Sequence, residues 1–235
     1  MPALRNRVLA GLLVATTAVH LGAHLTSAGR VADVTQWFLM PLLAAWVAME
    51  VRAPRDRLVR LVLAGLVASW LGDTAPHLAP SGSRFLVMVA FFLCAQVCYV
   101  AAFWPFRAQS VLGLLRAGGR RAGTIGTLAY LVALVALIAA CAPGTGSLLV
   151  PTVVYGVCLV SMAALATGVN RRVAIGAAIF LVSDSLIALQ AFTSWYAVPE
   201  HGFWVMLTYV VGQVLIASGV VAQARRRAPV EILST

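Results

Sequence analysis

Apolar residues run along this chain in long uninterrupted stretches, separated by short patches rich in Arg, Gly and Pro. Eight stretches are long enough for an apolar helix: residues 8–25, 34–51, 58–77, 84–106, 123–141, 148–168, 173–195 and 203–224. A bilayer core of about 30 Å takes about 20 helical residues to cross, so each stretch predicts a membrane span. None shows the in-out alternation of an outer-membrane strand. The segments EVRAPRDR, FRAQSVLGLLRAGGRRAG, APGTGS and AVPEHG carry the Pro, Gly and charge that mark loops. None is long enough to hold a soluble domain. The pattern therefore predicts an all-α fold: a single domain over residues 1–235, folded as one bundle of eight transmembrane helices. No internal repeat is evident.

Composition sharpens this picture. Hydrophobic residues make up 62% of the chain and charged residues 10%, against roughly 25% charged in ordinary soluble domains. The net charge of +10 comes entirely from arginine on the basic side. Nucleic-acid binding would need those arginines gathered on one solvated face with base-reading groups; they follow topology instead. Arg5, Arg7, Arg52, Arg55, Arg57, Arg60, Arg107, Arg116, Arg120, Arg121, Arg171, Arg172, Arg225, Arg226 and Arg227 fall in connections on one side of the predicted bundle, and only Arg30 and Arg84 on the other. The positive-inside bias then places both termini in the cytoplasm and the protein in the inner or plasma membrane, with anionic lipid headgroups against the basic side.

The first residues have a basic front, an apolar middle and small residues, the outline of a signal peptide. The apolar run is long for a signal core and carries His20 and His24, so a retained span is expected. The four cysteines, Cys94, Cys98, Cys141 and Cys158, lie inside spans in no metal-binding spacing and read as small buried hydrophobes. His20 and His24 are spaced i, i+4, as metal ligands can be, but such pairs are more often hydrogen-bonded fillers. A chain without lysine cannot form a retinal Schiff base.

Among the seven acidic residues, Asp33, Glu50, Asp56, Glu200 and Glu231 lie in loops, at helix ends or in the tail, whereas Asp73 and Asp184 lie deep in predicted spans. At 1.5 Å per residue they stand roughly 22 and 17 Å from the arginine-rich boundary, close enough in depth to meet. Ionisable groups there cost roughly 2.5–3.5 kcal/mol each on insertion scales and face the bundle interior, often at functional sites. Asp184 shares a helical stripe with Ala177, Phe180, Ala188 and Ala191; Asp73 shares one with Leu66, Ser69 and His77. Tyr99 and Gln96 on the fourth span, Tyr155 and Met162 on the sixth, and Tyr209 and Gln213 on the eighth are available to ring the pair. A lone intramembrane aspartate can merely bond a neighbouring helix, and tyrosines in spans commonly serve packing. The tyrosines join the site only if they contact the aspartates.

These same residues carry a resemblance. IGAAIFLVSDSLIALQAF, with Gly176, Ala177, Phe180, Ser183, Asp184, Ala188 and Phe192, resembles the signature of the YhhN family, bacterial relatives of the lysoplasmalogenases. SWLGD, with Ser69, Gly72 and Asp73, is similar to that family's second acidic motif, and VVYGVCLVSMAALA and TYVVGQVLIASG supply its Tyr155, Met162 and Gln213. Two positions depart. Gln36 stands where many members carry a lysine and Gln96 where many carry a histidine, removing two cations suited to a phosphate headgroup or to proton transfer.

The resemblance implies hydrolysis of the vinyl ether bond of lysoplasmalogen-type lysophospholipids to a fatty aldehyde and a glycerophospho-alcohol. That reaction begins with protonation of the outer alkene carbon, giving an oxocarbenium ion that water attacks. Paired carboxylates serve a similar transition state in glycosidases, and two secluded carboxyls close together hold a proton between them. Asp73 and Asp184 are the expected catalytic pair. Ser69, Gln96, Tyr99, Tyr155, Ser183 and Gln213 are the expected substrate-binding residues, with no metal or other cofactor required. The expected partners are an ether lysophospholipid and the surrounding membrane lipids. The alternative is a proton-coupled transporter or a lipid- or solute-binding membrane protein using the same aspartates.

Overall fold

A computed structural model of the protein describes residues 2–116 and 121–227, which contain no strand; Arg120 and Glu231 of the charge pattern lie outside them. The α-helices are α1 (Pro2–Leu25), α2 (Gly29–Glu50), α3 (Arg57–Thr74), α4 (Arg84–Phe103), α5 (Val111–Arg116), α6 (Arg121–Thr145), α7 (Leu149–Ala166), α8 (Arg171–Phe192) and α9 (His201–Arg227). Among the described residues, seven continuous helical segments are long and apolar enough to cross a membrane, one fewer than the eight expected spans. The difference lies in the segment Gly123–Ala166, which counts once at 44 residues yet contains both α6 and α7. Between them Gly146 takes φ +50°, a backbone turn that glycine makes without steric cost.

The helices start and stop where local chemistry allows. Asp56 caps α3 by accepting from Val59 N at 2.9 Å, and Asn170 caps α8 by accepting from Val173 N at 3.1 Å, each satisfying a donor that the first helical turn leaves open. The segment 107–116, expected as loop, is largely helical. Ser110 is fully buried, its hydroxyl accepts from Gly113 N at 3.4 Å, and Thr167 Oγ1 accepts from Val111 N at 2.9 Å. A serine cap thus outweighs the Arg and Gly content that suggested a loop. Helix α6 likewise continues through Pro143 to Thr145 rather than ending near residue 141.

Helices α2, α3, α4, α7, α8 and α9 enclose the interior, with α1 laid against α2 and α9, and α6 against α7 and α8. The most extensive helix pairing is between α8 and α9. A Cβ on Gly176 would stand 2.7 Å from Gly212 O, and one on Gly212 would stand 3.0 Å from Gly176 O, so the two backbones touch through their glycines, as small residues allow between helices in lipid. Outward faces are apolar instead of charged: Val14 on α1 is 69% exposed and Ile125 and Val132 on α6 are 66% and 65% exposed, a distribution suited to hydrocarbon surroundings.

One end of the bundle gathers the N-terminus of α1 and the C-termini of α2 and α9. Asn6 donates to Glu50 at 2.9 Å, and Arg225 pairs with the same Glu50. Arg227 lies over Phe106 at 4.4 Å, joining the end of α4 to this arginine-rich end. The opposite end carries the segments 75–83 and 193–200. Of the cysteines, only Cys141 is buried; Cys94 is exposed and Cys98 and Cys158 are partly so. The expectation of four buried thiols is therefore corrected, because three of them lie on faces turned away from the bundle interior.

Candidate active site

Asp73 near the end of α3 and Asp184 in the middle of α8 are 7% and 6% exposed, and both line one cavity. Its walls also include Gln36 from α2, Met88 and Phe92 from α4, Ser183 and Ile187 from α8, and Met206 and Tyr209 from α9, with Pro76 and His77 toward the end opposite the arginines. The cavity holds about 280 Å³. Helical phase and depth, counted along two separate spans, thus bring the carboxylates into one chamber.

Each carboxylate receives one phenol and one amide. Tyr209 donates to Asp73 Oδ2 at 2.8 Å, and Gln36 Nε2 to Asp73 Oδ1 at 3.1 Å. Tyr155 donates to Asp184 Oδ2 at 2.5 Å, and Gln96 Nε2 reaches the same oxygen at 3.5 Å. Asp73 therefore has both oxygens engaged, whereas Asp184 takes both bonds on Oδ2 and leaves Oδ1 without a protein partner among the described residues. Gln96 is fully buried, and its Oε1 has no partner either.

Asp184 also reaches a second space. A narrow slot of about 70 Å³ runs between α4, α6, α7 and α8, lined by Phe85, Leu86, Val89, Leu137, Leu159 and Phe192, with Asp184, Tyr155 and Thr152 as its polar groups. Leu86 on its rim is 46% exposed, so the slot lies near the outer face of the bundle. Met88, Phe92, Asp184 and Ile187 border both spaces.

Of the expected binding residues, Ser183 lines the chamber, its hydroxyl donating to Val205 O at 3.0 Å. Tyr155 and Gln96 touch Asp184 as described. Ser69, Tyr99 and Gln213 line neither space. Tyr99 donates to Gln213 Oε1 at 2.8 Å and Gln213 Nε2 donates to Ser69 Oγ at 3.2 Å. All three are fully buried, and Tyr99 stacks on Phe103. This layer sits one helical turn nearer the arginine end than Asp73, Gln96 and Tyr209, and fills the interior below the chamber. Tyr99 thus misses the test set for the tyrosines, while Tyr155 and Tyr209 meet it.

Two contributors were absent from the expected set. Tyr209 figured as a tyrosine of the last span, and Gln36 only as a departure from the family pattern. Gln36 heads the stripe of Leu39, Met40, Leu43 and Val47, which are at most 1% exposed; a polar residue in phase with that buried row was the available signal. His20 and His24 stand apart from the chamber. His20 Nδ1 lies 3.1 Å from Ala32 O and 2.9 Å from Thr35 Oγ1, with its ring edge-on to His24 at 4.8 Å; the Nε2 atoms of both rings are buried without a partner among the described residues, so the pair is only partly satisfied by hydrogen bonds. Among the described residues no three His, Cys, Asp or Glu side chains gather as a metal site.

No curated protein and no solved structure matches this chain significantly. A sequence model of the YhhN family matches residues 31–220, a range that takes in Gln36, Asp73, Gln96, Tyr155, Asp184 and Tyr209. A buried pair of aspartates on the two acidic motifs, inside an all-helical bundle of apolar segments, agrees with that match, and the chain belongs to the YhhN family.

Proposed function

We propose that the protein is a membrane-embedded hydrolase that cleaves the vinyl ether bond of lysoplasmalogen-type lipids, releasing a fatty aldehyde and the glycerol-bearing alcohol. Family membership is consistent with a lysoplasmalogenase-like function. The observation that carries the reading is the position of Asp184, where an apolar slot meets a polar chamber holding a second carboxyl. A lipid chain lying in the slot places its ether-linked alkene at that junction, with its glycerol in the chamber.

Asp184 is the proton donor in this scheme. Its Oδ1, free of protein partners, delivers a proton to the outer alkene carbon. The alkene electron pair forms the new C–H bond, and the adjacent ether-bearing carbon becomes an oxocarbenium centre. Water in the chamber attacks that carbon and gives up a proton to Asp73, which Tyr209 and Gln36 hold in place. The hemiacetal collapses as its C–O bond to glycerol breaks: the leaving oxygen takes the proton held by Asp73, the hydroxyl gives its proton to Asp184 as the carbonyl forms, and one water is consumed with both carboxyls back in their starting states. Tyr155 orients Asp184 through Oδ2. The role resembles that of paired carboxylates in glycoside hydrolysis, where an acid and a second carboxylate act on an oxocarbenium-like transition state.

We place the chain in the cytoplasmic or inner membrane with eight crossings and both termini in the cytoplasm. The chain reverses at Gly146, and Gly156 on α7 packs toward Leu134 on α6, as expected of a hairpin of two crossings; the arginines of the terminal end then face inward. The active chamber opens toward the other face. A transporter would need a path to both faces, and the packed layer of Ser69, Tyr99, Phe103 and Gln213 below the chamber favours hydrolysis over transport.

The test is purified protein in detergent, supplied with a lysoplasmalogen and, separately, its saturated ether counterpart. Long-chain aldehyde from the first alone is expected. No aldehyde from either, with folded protein, overturns the reading.

A further inference from the structure

We infer that the arginine-rich end of the bundle carries a built site for one anionic phospholipid, its phosphate held by Arg5, Arg52 and Arg55 and one acyl chain laid in the groove between α1, α2 and α9. This site shares no lining residue with the chamber or the slot, so it stands apart from the proposed reaction.

The polar half is a pocket of about 410 Å³ between the start of α1 and the end of α2, with Arg5, Arg52 and Arg55 around it beside Asn6, Ala48 and Met49. Arg55, partly buried, is held in place. Its Nε donates to Val51 O at 2.9 Å and its Nη2 to Ala48 O at 2.6 Å, satisfying carbonyls that the end of α2 leaves open. The rest of its planar fork is uncommitted, and that fork matches phosphate oxygens. Among the described residues none of the three arginines is ion-paired. The nearby acids are engaged elsewhere: Glu50 accepts from Asn6 and pairs with Arg225, and Asp56 caps α3. Three unpaired cations around one pocket fit an anion, and basic pockets between helices on the cytoplasmic side suit anionic lipid headgroups.

The apolar half lies directly beneath. Asn6 and Ala10 are one turn apart on α1, and Trp46 and Met49 one turn apart on α2, so at this level the arginine pocket gives way to a groove of about 580 Å³. From Ala10 to Leu21 the groove follows α1 for about 16 Å, close to the depth of one leaflet in a hydrocarbon core about 30 Å thick. Leu13 and Leu43 at its back are buried, whereas Val14 and Val211 are exposed, so it opens sideways. Its two hydroxyls are already satisfied on their own helices, Thr17 donating to Leu13 O at 2.7 Å and Ser218 to Leu215 O at 3.2 Å. Nothing in the groove recruits a polar solute; an alkyl chain fits it. Charge decides between lipid and a second copy of the chain, because a net charge of +10 with the arginines gathered at this end makes two copies repel there.

The experiment counts lipids retained by the full-length protein in native mass spectrometry, with phosphatidylglycerol and phosphatidylcholine of identical acyl chains as competing probes. One phosphatidylglycerol should bind saturably, preferred at least about tenfold over phosphatidylcholine. Arg5→Gln with Arg52→Gln should cut that preference to about threefold or less, whereas Arg171→Gln with Arg172→Gln, at the same end but outside the pocket, should leave it intact. Ala18→Trp, which sets an indole in the groove, should lower retention of both lipids. Equal loss from the two arginine pairs would show a diffuse field in place of a site and overturn the inference. Equal retention of the two lipids by the unaltered protein would do the same, as would competition by glycerol phosphate without acyl chains at the concentration of the lipid, or a dimer that excludes lipid from the groove. The substituted residues are exposed, so the variants should fold, and the comparison of lipids on the unaltered protein decides the matter if one does not.

Discussion

Asp73 on α3 accepts from Gln36 on one carboxylate oxygen and from Tyr209 on the other, whereas Asp184 on α8 accepts from Tyr155 and Gln96 on a single oxygen. The same two residue types, a tyrosine and a glutamine, surround both carboxyls, yet one is fully engaged and confined to the chamber, and the other keeps an oxygen free and borders the apolar slot as well. Hydrogen-bond partners alone would make the two interchangeable. Position relative to the two spaces separates them: in the proposed scheme the residue touching both protonates the lipid, and the residue held on both oxygens manages water.

The largest effect that tests this contrast is Asp184→Asn, which removes the proton donor and should lower kcat for aldehyde release by about 10³-fold, within the range of general acid catalysis. Asp73→Asn should cost about 10²-fold, since water can still reach the oxocarbenium centre without its base. Reversal of that order would exchange the roles. Next come the phenols. Tyr155→Phe loses a bond to the acid itself and should reduce kcat about tenfold, with Tyr209→Phe costing less, at a hydrogen-bond contribution to a charged group of about 1.5–3 kcal/mol or below. Steady-state rates on one lipid decide between them; a larger loss in Tyr209→Phe would undo the distinction. Smallest is Ser69→Ala, which should leave KM and kcat within about threefold, because its hydroxyl meets Gln213 in the packed layer and loses a neutral hydrogen bond of about 1 kcal/mol. A tenfold rise in KM would restore Ser69 to the substrate.

Stability separates the architecture from the chemistry. Gly176→Leu would force the backbones of α8 and α9 apart, since even an added Cβ would stand 2.7 Å from Gly212 O, and should lower the thermal unfolding midpoint in detergent, the overpacking cost being about 1–3 kcal/mol or more.

Much of the site was legible because depth along a helix is a simple count. Asp73 and Asp184 fall at comparable heights on spans that run in the same direction, and burial of a carboxylate in hydrocarbon pushes each toward the bundle interior. Stripe and height are separate coordinates, and for the remaining residues a shared stripe does not ensure a shared height. Tyr99 lies on the same face of α4 as Gln96 but three residues nearer the arginine end, about 4.5 Å lower; Ser69 and Gln213 are each one turn lower than Asp73 and Tyr209. They therefore meet each other beneath the chamber. Gln36 was overlooked for a different reason: compared with a family pattern it registered as a missing lysine, while its phase with Leu39, Met40 and Leu43 marked it as an interior polar group. The apolar slot was not readable at all, since it arises where four helices diverge and depends on their crossing geometry.

The most direct measurement is an experimental structure of the protein with a saturated ether analogue bound. The ether oxygen should lie beside Asp184 Oδ1, the alkyl chain between α4, α6, α7 and α8, and the glycerol in the chamber with Asp73. A chain occupying the chamber, or an ether oxygen remote from both aspartates, would contradict the account.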